Sequence, residues 1–445
     1  MRYQAPKGTQ DLLPAQARAW HAMQRIAGEV FSLYGYEPLE TPIFELSELF
    51  TRSAGESTDI ASKEMFAVRS LGALAKMQAG QQLKADQKLA LRPEGTASVV
   101  RAIAQHNLVP AGASPAKLWY AGSMFRCERP QKGRLREFHQ VGAECLGATD
   151  PAADAELIIM LMRFFQKLGL AASEMTLIVN SMGCPECRPA YTQAVAAFMH
   201  AHEGQLCAEC VNRAQANPLR AFDCKNEGCR AVMALAPRFS DYLCDACAQR
   251  YAAVKAYLAA AGIAFVEDAR LVRGFDYYTG TVFEVQVNEG LGSQNAIGGG
   301  GHYDKLMGEV SGHDLPGLGF AVGFERIALA LQAQGVSLDA GAPPAAYVVT
   351  VAEEVKPQAF AVLQALRDAG VPAVADTQGR SVKAQFKAAG KQGAALAVVV
   401  GPDEVACGKV TIRDMATHEE QLVDMSAAPA AACSILAGRA QGTAL

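Results

Sequence analysis

The sequence predicts an α+β protein of several domains, and three features carry that prediction. The chain has 445 residues, half of them hydrophobic, which suits a globular protein with more than one core. Residues 117–126 and 137–147 have the pattern of two strands joined by the polar loop PQKGR, which is typical of an antiparallel hairpin. After residue 346, strands alternate with helices, which indicates a small α/β domain with a largely parallel sheet.

The first 333 residues mix helices with strands. Apolar side chains at helical spacing predict one helix near the start, and Asp150 followed by Pro151 predicts the capped start of another. A run of four glycines connects the last predicted strand of this part to a final helix. The predicted elements are helices at 16–34, 151–168 and 323–332, strands at 281–287 and 293–297, and the connecting glycines at 298–301.

Composition divides the chain further. Residues 171–262 hold eight of the twelve cysteines, and we expect them to form a mainly helical insertion in a domain that spans 1–333. Residues 334–345 are rich in Gly, Ala and Pro and are predicted to be a linker. The alternating strands and helices then occupy 346–427. The Ala-rich tail, 428–445, carries no structural prediction.

Charge and cysteine content restrict the function and the compartment. The net charge is −4, so the chain lacks the basic field of a general nucleic-acid binder, and contact with RNA must use local patches. No stretch approaches the roughly 20 apolar residues of a membrane span. The first residues carry no apolar core of a secretory signal, so we expect a cytoplasmic protein, in which cysteines stay reduced.

Two charged motifs indicate where the chemistry lies. Residues 126–144 concentrate arginines beside Phe138, and arginine forks suit phosphate oxygens while an aromatic face suits adenine. In the run GFAVGFERIALAL, residues 319–331, a strand turns into a helix with Arg326 in its first turn, an arrangement that favours a polyphosphate. The first motif alone is equally well explained as a solvated basic hairpin, and an arginine near a helix start is common on protein surfaces. Their combination favours a nucleotide site.

These residues carry a resemblance to a known family. Arg126-x-Glu128, Phe138 and GFAVGFER resemble the second and third signatures of class II aminoacyl-tRNA synthetases, and LETPIFE, residues 39–45, resembles the first, a dimer-interface signature. The runs RGFDYYTGTVFEV and GGGGHYDKL are similar to signatures of the histidyl-tRNA synthetase family, although His302 stands where we expect an arginine in many members. The resemblance implies an antiparallel-sheet catalytic domain, an insertion domain, a C-terminal anticodon-binding domain and a homodimer.

The resemblance also assigns roles to individual residues. It implies that Arg126 and Arg273 are catalytic, with Arg273 stabilising the charge that develops on the α-phosphate of ATP. The expected histidine-binding residues are Glu94, Gly95, Thr96, Arg126, Gln140, Glu144, Arg273, Tyr277 and Tyr278. The expected ATP-binding residues are Arg126, Glu128, Arg136, Phe138 and Arg326.

The implied activity is the ATP-dependent activation of histidine to histidyl-adenylate, followed by transfer to the 3′ end of tRNA(His), with Mg²⁺ accompanying ATP. The alternative is a non-catalytic, histidine-sensing relative of the synthetase core, which should lack the anticodon domain and the arginine signatures. The basic residues Arg380, Lys383, Lys387 and Lys391 recur at near-helical intervals, and the resemblance of this segment to an anticodon-binding domain favours RNA as their partner.

The eight clustered cysteines have the spacing of metal ligands. They form three CxxC pairs and one pair separated by four residues: Cys184 and Cys187, Cys207 and Cys210, Cys244 and Cys247, and Cys224 and Cys229. Eight thiolates can supply two tetrahedral Zn²⁺ sites. The alternative is a set of vestigial ligands in an insertion that folds without metal. How the eight cysteines pair is left open by the sequence.

Overall fold

The computed structural model describes residues 3–54, 63–110, 112–272, 277–292, 295–338 and 344–442. These residues divide into two units, Met1–Asp339 and Ala340–Leu445. The division falls within the segment predicted to be a linker, of which residues 339–343 lie outside the described residues.

The first unit is built on an eight-stranded sheet whose six central strands are antiparallel. In spatial order the strands are β1 (Glu37–Pro38), β5 (Ala116–Phe125), β6 (Glu137–Leu146), β11 (Gly317–Gly323), β10 (Ala296–Tyr303), β9 (Thr279–Val287), β7 (Met175–Ser181) and β8 (Val266–Glu267). The predicted hairpin forms β5 and β6, which pair along their whole length. The prediction of an antiparallel sheet is confirmed, and only the two short edge strands pair in parallel.

Each face of this sheet has its own hydrophobic cluster. The helices α1 (Pro14–Ser32) and α5 (Pro151–Lys167) pack on one face, and α4 (Thr96–His106) and α10 (Leu306–Ser311) pack on the other. Both long helices form close to where the sequence predicts them, and the Asp150 side chain accepts a hydrogen bond from the backbone of Ala152 at the start of α5. The first unit is completed by the small sheet β2 (Phe44–Leu46), β4 (Leu89–Leu91) and β3 (Ala67–Val68), and by α2 (Ser47–Ala54), α3 (Leu71–Gln78) and α11 (Phe324–Ala333).

The cysteine-rich insertion is shorter than predicted. Its helices are α6 (Arg188–Ala201), α7 (Ala208–Ala216), α8 (Glu227–Met233) and α9 (Asp245–Ala260). The predicted start at residue 171 is wrong, because β7 pairs with β9 in the main sheet. The high cysteine content of the neighbouring residues obscured an ordinary buried strand, MTLIVNS. At the other end, Val254 and Leu258 of α9 belong to the main hydrophobic core.

The glycine run 298–301 lies inside a strand instead of connecting a strand to a helix. β10 continues through all four glycines to Tyr303, whereas the predicted strand stopped at Ile297. The cause is close backbone packing: a Cβ atom on Gly300 would lie 1.9 Å from the carbonyl oxygen of Gly319 on β11. Glycine is therefore required here for space and not for flexibility. Residues 293 and 294 of the predicted strand lie outside the described residues.

The second unit contains a five-stranded sheet. Its spatial order is β13 (Ala373–Ala375), β12 (Ala346–Thr350), β14 (Leu396–Val400), β15 (Lys409–Asp414) and β16 (Glu420–Asp424). The first three strands are parallel, as predicted, and the last two, which were not predicted, are antiparallel. Its helices are α12 (Lys356–Asp368), α13 (Val382–Lys391), α14 (Pro402–Ala406) and α15 (Ala428–Gly442). The Ala-rich tail forms α15, whose Ala428 and Ala432 are fully buried in the core.

Among the described residues, no helix is both long enough and apolar enough to cross a membrane.

Replacing Gly300 by alanine should destabilise the first unit. The added methyl group would meet the backbone of β11, which cannot move without disturbing the sheet. We expect the free energy of unfolding to fall by about 1–3 kcal/mol or more, measured as a lower thermal midpoint in calorimetry. The control is Gly72→Ala in α3, where a Cβ atom meets nothing within 4 Å. An unchanged midpoint for Gly300→Ala would contradict the proposed packing role.

Candidate active site

The alternation of side chains along the strands places small and polar residues on one face of the main sheet. On β11, Leu318, Phe320 and Val322 are buried in the core that α1 and α5 cover. The residues between them, Gly317, Gly319, Ala321 and Gly323, therefore face the opposite side. On β6 the same alternation places Gln140 and Glu144 on that side, because Val141, Ala143 and Cys145 belong to the core.

Glu144 is the most deeply buried polar group on this face. Its carboxyl accepts a hydrogen bond from the Thr96 hydroxyl at 2.7 Å and another from the Tyr303 hydroxyl at 2.6 Å. Burial raises the pKa of Glu144 to about 8, although both hydrogen bonds act in the opposite direction. A Cβ atom on Gly319 would overlap the carboxyl, so the glycine on β11 makes the space in which Glu144 lies.

Glu94 lies beside this carboxyl at the start of α4. Its two oxygens accept hydrogen bonds from the backbone amides of Thr96 at 2.6 Å and Ala97 at 2.9 Å. Glu94 therefore pairs two of the N–H groups that have no partner within the helix at the start of α4. Burial raises the pKa of Glu94, and these hydrogen bonds lower it. A Cβ atom on Gly95 would lie 2.2 Å from the ring of Tyr120, so the turn between Glu94 and Thr96 packs tightly on that ring.

Aromatic rings surround the two carboxyls on the side of β9. Tyr277 and Tyr278 lie just before this strand, and both are buried in the same cluster as Tyr120 and Tyr303. The ring centroids of Tyr277 and Tyr303 are 5.6 Å apart. The structure thus brings five of the predicted histidine-binding residues into one buried cluster, the candidate pocket: Glu94, Thr96, Glu144, Tyr277 and Tyr278.

A cavity of about 480 Å³ lies on the same face and contains most of the predicted ATP-binding residues. Its lining includes Arg126, Glu128, Phe138, Gln140 and Arg326. The guanidinium of Arg126 lies over the Phe138 ring, 5.3 Å from its centroid, and its Nε donates to the carbonyl of Pro93 at 2.9 Å. Because Pro93 precedes Glu94, Arg126 lies between the cavity and the pocket.

The far end of the cavity is closed by α11 and the glycine-containing strands. Arg326, in the first turn of α11, donates through Nε to the carbonyl of Ala296 at 2.5 Å. Gly298, Gly299 and Gly323 also line the cavity, so the backbone of this wall is accessible to a bound molecule. Positive charge and an exposed backbone together suit the phosphates of a nucleotide.

Arg136, a predicted ATP-binding residue, is not among the residues that line this cavity. Arg136 donates to the carbonyls of Glu128 at 3.3 Å and Lys7 at 3.5 Å, and its side chain packs on Gly8, which fastens the N-terminal segment to the hairpin. Arg273, the predicted catalytic arginine, lies outside the described residues, as do residues 274–276.

Sequence reasoning missed the role of Glu325. Its Oε1 accepts from the backbone amide of His139 at 3.0 Å and lies 2.9 Å from His139 Nδ1, so α11 is attached directly to β6. Glu284 and Gln286 of β9 also line the cavity and were missed. Their signal was present in TVFEVQV, where polar residues alternate with buried valines.

His302, the departure from the family pattern, is buried in an ionic network. Its Nε2 lies 2.9 Å from Asp304 Oδ1, and its Nδ1 lies 3.2 Å from Asp154 Oδ1. Burial lowers the pKa of His302, but Asp154 and Asp304 outweigh it and raise the pKa to about 9. Asp154 also pairs with Arg250 of α9 at 2.5 Å, and Asp304 accepts from Thr279 at 2.8 Å. The protonated histidine thus joins α5, β9 and β10.

The eight cysteines of the insertion separate into two sets of four. Within each set the sulfur atoms all lie within 4.8 Å of one another. The first set is Cys184, Cys187, Cys244 and Cys247, and the second is Cys207, Cys210, Cys224 and Cys229. All eight are free thiols in the structure, and each set has the composition of a four-thiolate metal site.

The chain is similar to proteins of one family over nearly its whole length. The family model described as histidyl-tRNA synthetase matches residues 8–327, and the model described as anticodon binding domain matches residues 345–432. Histidine–tRNA ligase of Halothermothrix orenii is 43% identical over 420 residues, covering 94% of this chain and 96% of the relative. The enzyme of the same name from Anaeromyxobacter dehalogenans is 43% identical over 96% of this chain and 98% of its own length. The crystal structure of apo histidyl-tRNA synthetase from S. aureus superposes with a TM-score of 0.78 at 32% identity, covering 96% of this chain and 98% of that one.

The buried carboxyl of Glu144 should make stability depend on pH. Its pKa is 4.5 in a solvated carboxyl and about 8 in the folded protein, so the folded state holds an extra proton between these values. The stabilising contribution of this group is complete below 4.5 and is lost as the pH rises through 8. Glu144→Gln cannot ionise, so between about pH 5 and pH 9 its thermal midpoint should fall less than that of the wild type, by roughly 5 °C.

The control for this comparison is Glu48→Gln, at an exposed position of α2. Its midpoint should follow the wild type at every pH. Parallel pH profiles for Glu144→Gln and the wild type would show that Glu144 does not titrate in this range.

Proposed function

This chain belongs to the histidyl-tRNA synthetase family, and we propose that it activates histidine with ATP to histidyl-adenylate and transfers the histidine to the 3′ end of tRNA(His). One observation carries the proposal: a buried cluster with two carboxyls, Glu94 and Glu144, lies beside an arginine-lined cavity on the same face of one sheet. Arg126 stands between them. An amino acid and a nucleotide held there would meet at its guanidinium.

The pocket suits histidine because it offers groups for both ends of the molecule. Glu94 and the side-chain oxygen of Gln140 would accept hydrogen bonds from the ammonium group. The Gln140 oxygen is buried and has no hydrogen-bond partner among the described residues. Glu144 would accept one NH of the imidazole, with Tyr277 or Tyr278 at the other nitrogen. A side chain without both nitrogens would leave buried polar groups unpaired, which is the basis of strong discrimination. Gly95 and Thr96 would shape the turn beneath the ligand.

The cavity suits ATP. Adenine would stack on Phe138 near Glu128, and Arg326 would bind the outer phosphates. An oxygen of the histidine carboxylate would attack the α-phosphorus, pyrophosphate would leave, and Arg126 would stabilise the charge that develops. We propose the same stabilising role for Arg273. We assign Arg136 to the N-terminal segment instead of ATP, because its hydrogen bonds point there.

Mg²⁺ accompanies ATP in this family, and the carboxylates of Glu128 and Glu284 in the cavity are the oxygen ligands that suit it. The ion would neutralise the departing pyrophosphate. Structural Zn²⁺ at the two cysteine sets is the second metal that we propose. Neither set includes a histidine or a carboxylate, so a role outside catalysis fits them.

Recognition of tRNA would use the second unit. Lys383, Lys387 and Lys391 are exposed at intervals of four residues along α13, where a phosphate backbone can meet them. Arg380, which the sequence places with these lysines, precedes the helix and pairs with Asp376 at 2.5 Å, so it does not belong to this basic face. A synthetase of this kind supplies translation, which is consistent with a cytoplasmic protein.

The alternative, a histidine-sensing relative without catalysis, has no observation in its favour. Such a protein would need a histidine pocket but neither an anticodon-binding domain nor an arginine-lined cavity. This chain has the domain match and the cavity.

A homodimer is supported by the segment that resembles the first signature. Ile43, Phe44 and Leu46 expose about half of their side chains, and β2 is the edge strand of its small sheet. Adjacent exposed apolar side chains on an edge strand favour burial by a partner. A second copy of the chain would cover them.

Pyrophosphate exchange into ATP tests the activity and the assignment of the arginines together. We expect exchange with histidine and none with other amino acids. Arg326→Ala should raise the KM for ATP about tenfold or more, because a charged phosphate contact is lost, while the KM for histidine changes little. The control is Arg136→Ala, for which both constants should stay near the wild-type values. Exchange with a different amino acid, or none at all, would defeat the proposed function.

The dimer is tested by sedimentation. Phe44→Arg places a charge where we expect an apolar contact, so the mass in solution should fall from that of two chains to that of one. Leu235→Arg, at an exposed apolar position of the insertion, is the matched control and should remain dimeric. A wild-type protein that sediments as one chain would exclude the homodimer.

A further inference from the structure

We infer that each cysteine set binds one Zn²⁺ and that the two ions have different tasks. The first centre positions the backbone beside the histidine pocket, and its ligands are Cys184, Cys187, Cys244 and Cys247. The second centre holds the helices of the insertion together, and its ligands are Cys207, Cys210, Cys224 and Cys229. The positioning role rests on the proposed function of that pocket.

The sulfur atoms have the spacing of mononuclear tetrahedral sites. Zn–S bonds of about 2.3 Å place the ligands of a tetrahedron about 3.8 Å apart. The sulfurs of Cys184 are 3.5 Å from Cys187 and 4.0 Å from Cys244, and those of Cys207 and Cys224 are 3.9 Å apart. A disulfide would require about 2.05 Å. An iron–sulfur cluster would have to lie between thiolates held further apart.

The backbone around the sulfurs is arranged as in a thiolate site. The amide of Cys244 donates to the sulfur of Cys187 at 3.1 Å, and the amide of Cys207 donates to the sulfur of Cys229 at 3.1 Å. Such donors stabilise negative charge on the sulfur and orient it towards a metal. Each of the two bonds lies within one set, so both sets are built in the same way.

The first centre begins where β7 ends. Beyond the strand, the amide of Met182 donates to the carbonyl of Gly280 at 2.6 Å, and the amide of Gly280 donates to the carbonyl of Gly183 at 2.8 Å. The pairing of β7 with β9 thus continues to the residue before Cys184. Gly280 is two residues from Tyr278, so the centre is attached to the segment that carries the pocket tyrosines.

A second connection comes from the residue after Cys187. Arg188 begins α6, and its Nη2 donates to the backbone carbonyl of Tyr278 at 2.7 Å. Cys184, Arg188 and Tyr277 also line one cavity of about 570 Å³ between the insertion and the sheet. The first centre therefore fixes the start of α6, and α6 in turn holds the backbone of Tyr278.

The second centre reaches the cluster that contains Tyr278 through an apolar side chain, Leu219, which lies between Cys210 and Cys224. Its cysteines lie just before α7, on α7, on α8 and on the segment between the two helices, all within the insertion. Because this contact is a single apolar side chain, loss of the second ion should loosen the insertion and displace the segment before β9 less than loss of the first ion does. The two centres therefore provide matched controls for each other.

The test compares three variants of the full-length protein with the wild type. Metal analysis of the purified wild type should find two zinc ions per chain, and Cys184→Ser and Cys207→Ser should each retain one. In pyrophosphate exchange, Cys184→Ser should raise the KM for histidine about tenfold with little change in the KM for ATP, whereas Cys207→Ser leaves both near the wild-type values. Arg188→Met should retain both ions and raise the KM for histidine like Cys184→Ser.

Several outcomes would overturn the inference. Wild-type protein that contains iron, or that contains no zinc and takes up none when reduced and mixed with Zn²⁺, would refute the metal sites. Equal effects of Cys184→Ser and Cys207→Ser on the KM for histidine would refute the division of tasks. If the Cys184→Ser variant does not fold, the Arg188→Met variant tests the positioning role. An unchanged KM for histidine in the Arg188→Met variant would refute that role. Two zinc ions in a protein that exchanges pyrophosphate with another amino acid would refute the proposed function alone.

Discussion

A carboxyl group buried in the middle of the main sheet sets the requirements for the surrounding structure. Glu144 can lie there only because β11 carries a glycine opposite it and because Thr96 and Tyr303 donate hydrogen bonds to its two oxygens. An unpaired carboxyl at this depth would cost several kcal/mol. The start of α4, which bears Thr96, and the end of β10, which bears Tyr303, must therefore meet β6 at Glu144. The position of these elements follows from satisfying one acidic side chain.

The alternation of the strands gives the sheet two different faces. Its apolar face is a conventional core in which Phe320 and Val141 pack beneath α1 and α5. Its other face is divided: α4 and α10 cover one part with a second hydrophobic cluster, and the part beside α11 carries glycine, alanine and hydrogen-bonding residues that suit a ligand. Glu325 attaches the first turn of α11 to the backbone of β6 by accepting a hydrogen bond from the amide of His139. The arginine one residue later is held in place by the same attachment.

Much of this arrangement follows from the sequence, and the exceptions have physical causes. The hairpin of β5 and β6 and the helix α5 are local patterns, so their positions were predicted within a few residues. The glycines 298–301 were placed outside a strand because glycine usually marks a turn, and only the proximity of β11 explains them. The helix α15 has no amphipathic pattern, since its buried residues are alanines. The grouping of the cysteines depends on the start of α9 lying beside the end of β7. These two segments are distant in the sequence, so no local pattern predicts that they meet.

The glycines of β11 also limit how the specificity of the pocket could be redesigned. Behind the Glu144 carboxyl the wall is peptide backbone, with Gly319 already reduced to the smallest residue. No substitution can remove further atoms there, and any larger residue would displace the carboxyl. A pocket for a bulkier histidine analogue would have to be opened from the opposite side, where the tyrosine rings of the segment before β9 can be shortened. The backbone of one strand thus sets the depth of the pocket, and replaceable side chains set its width.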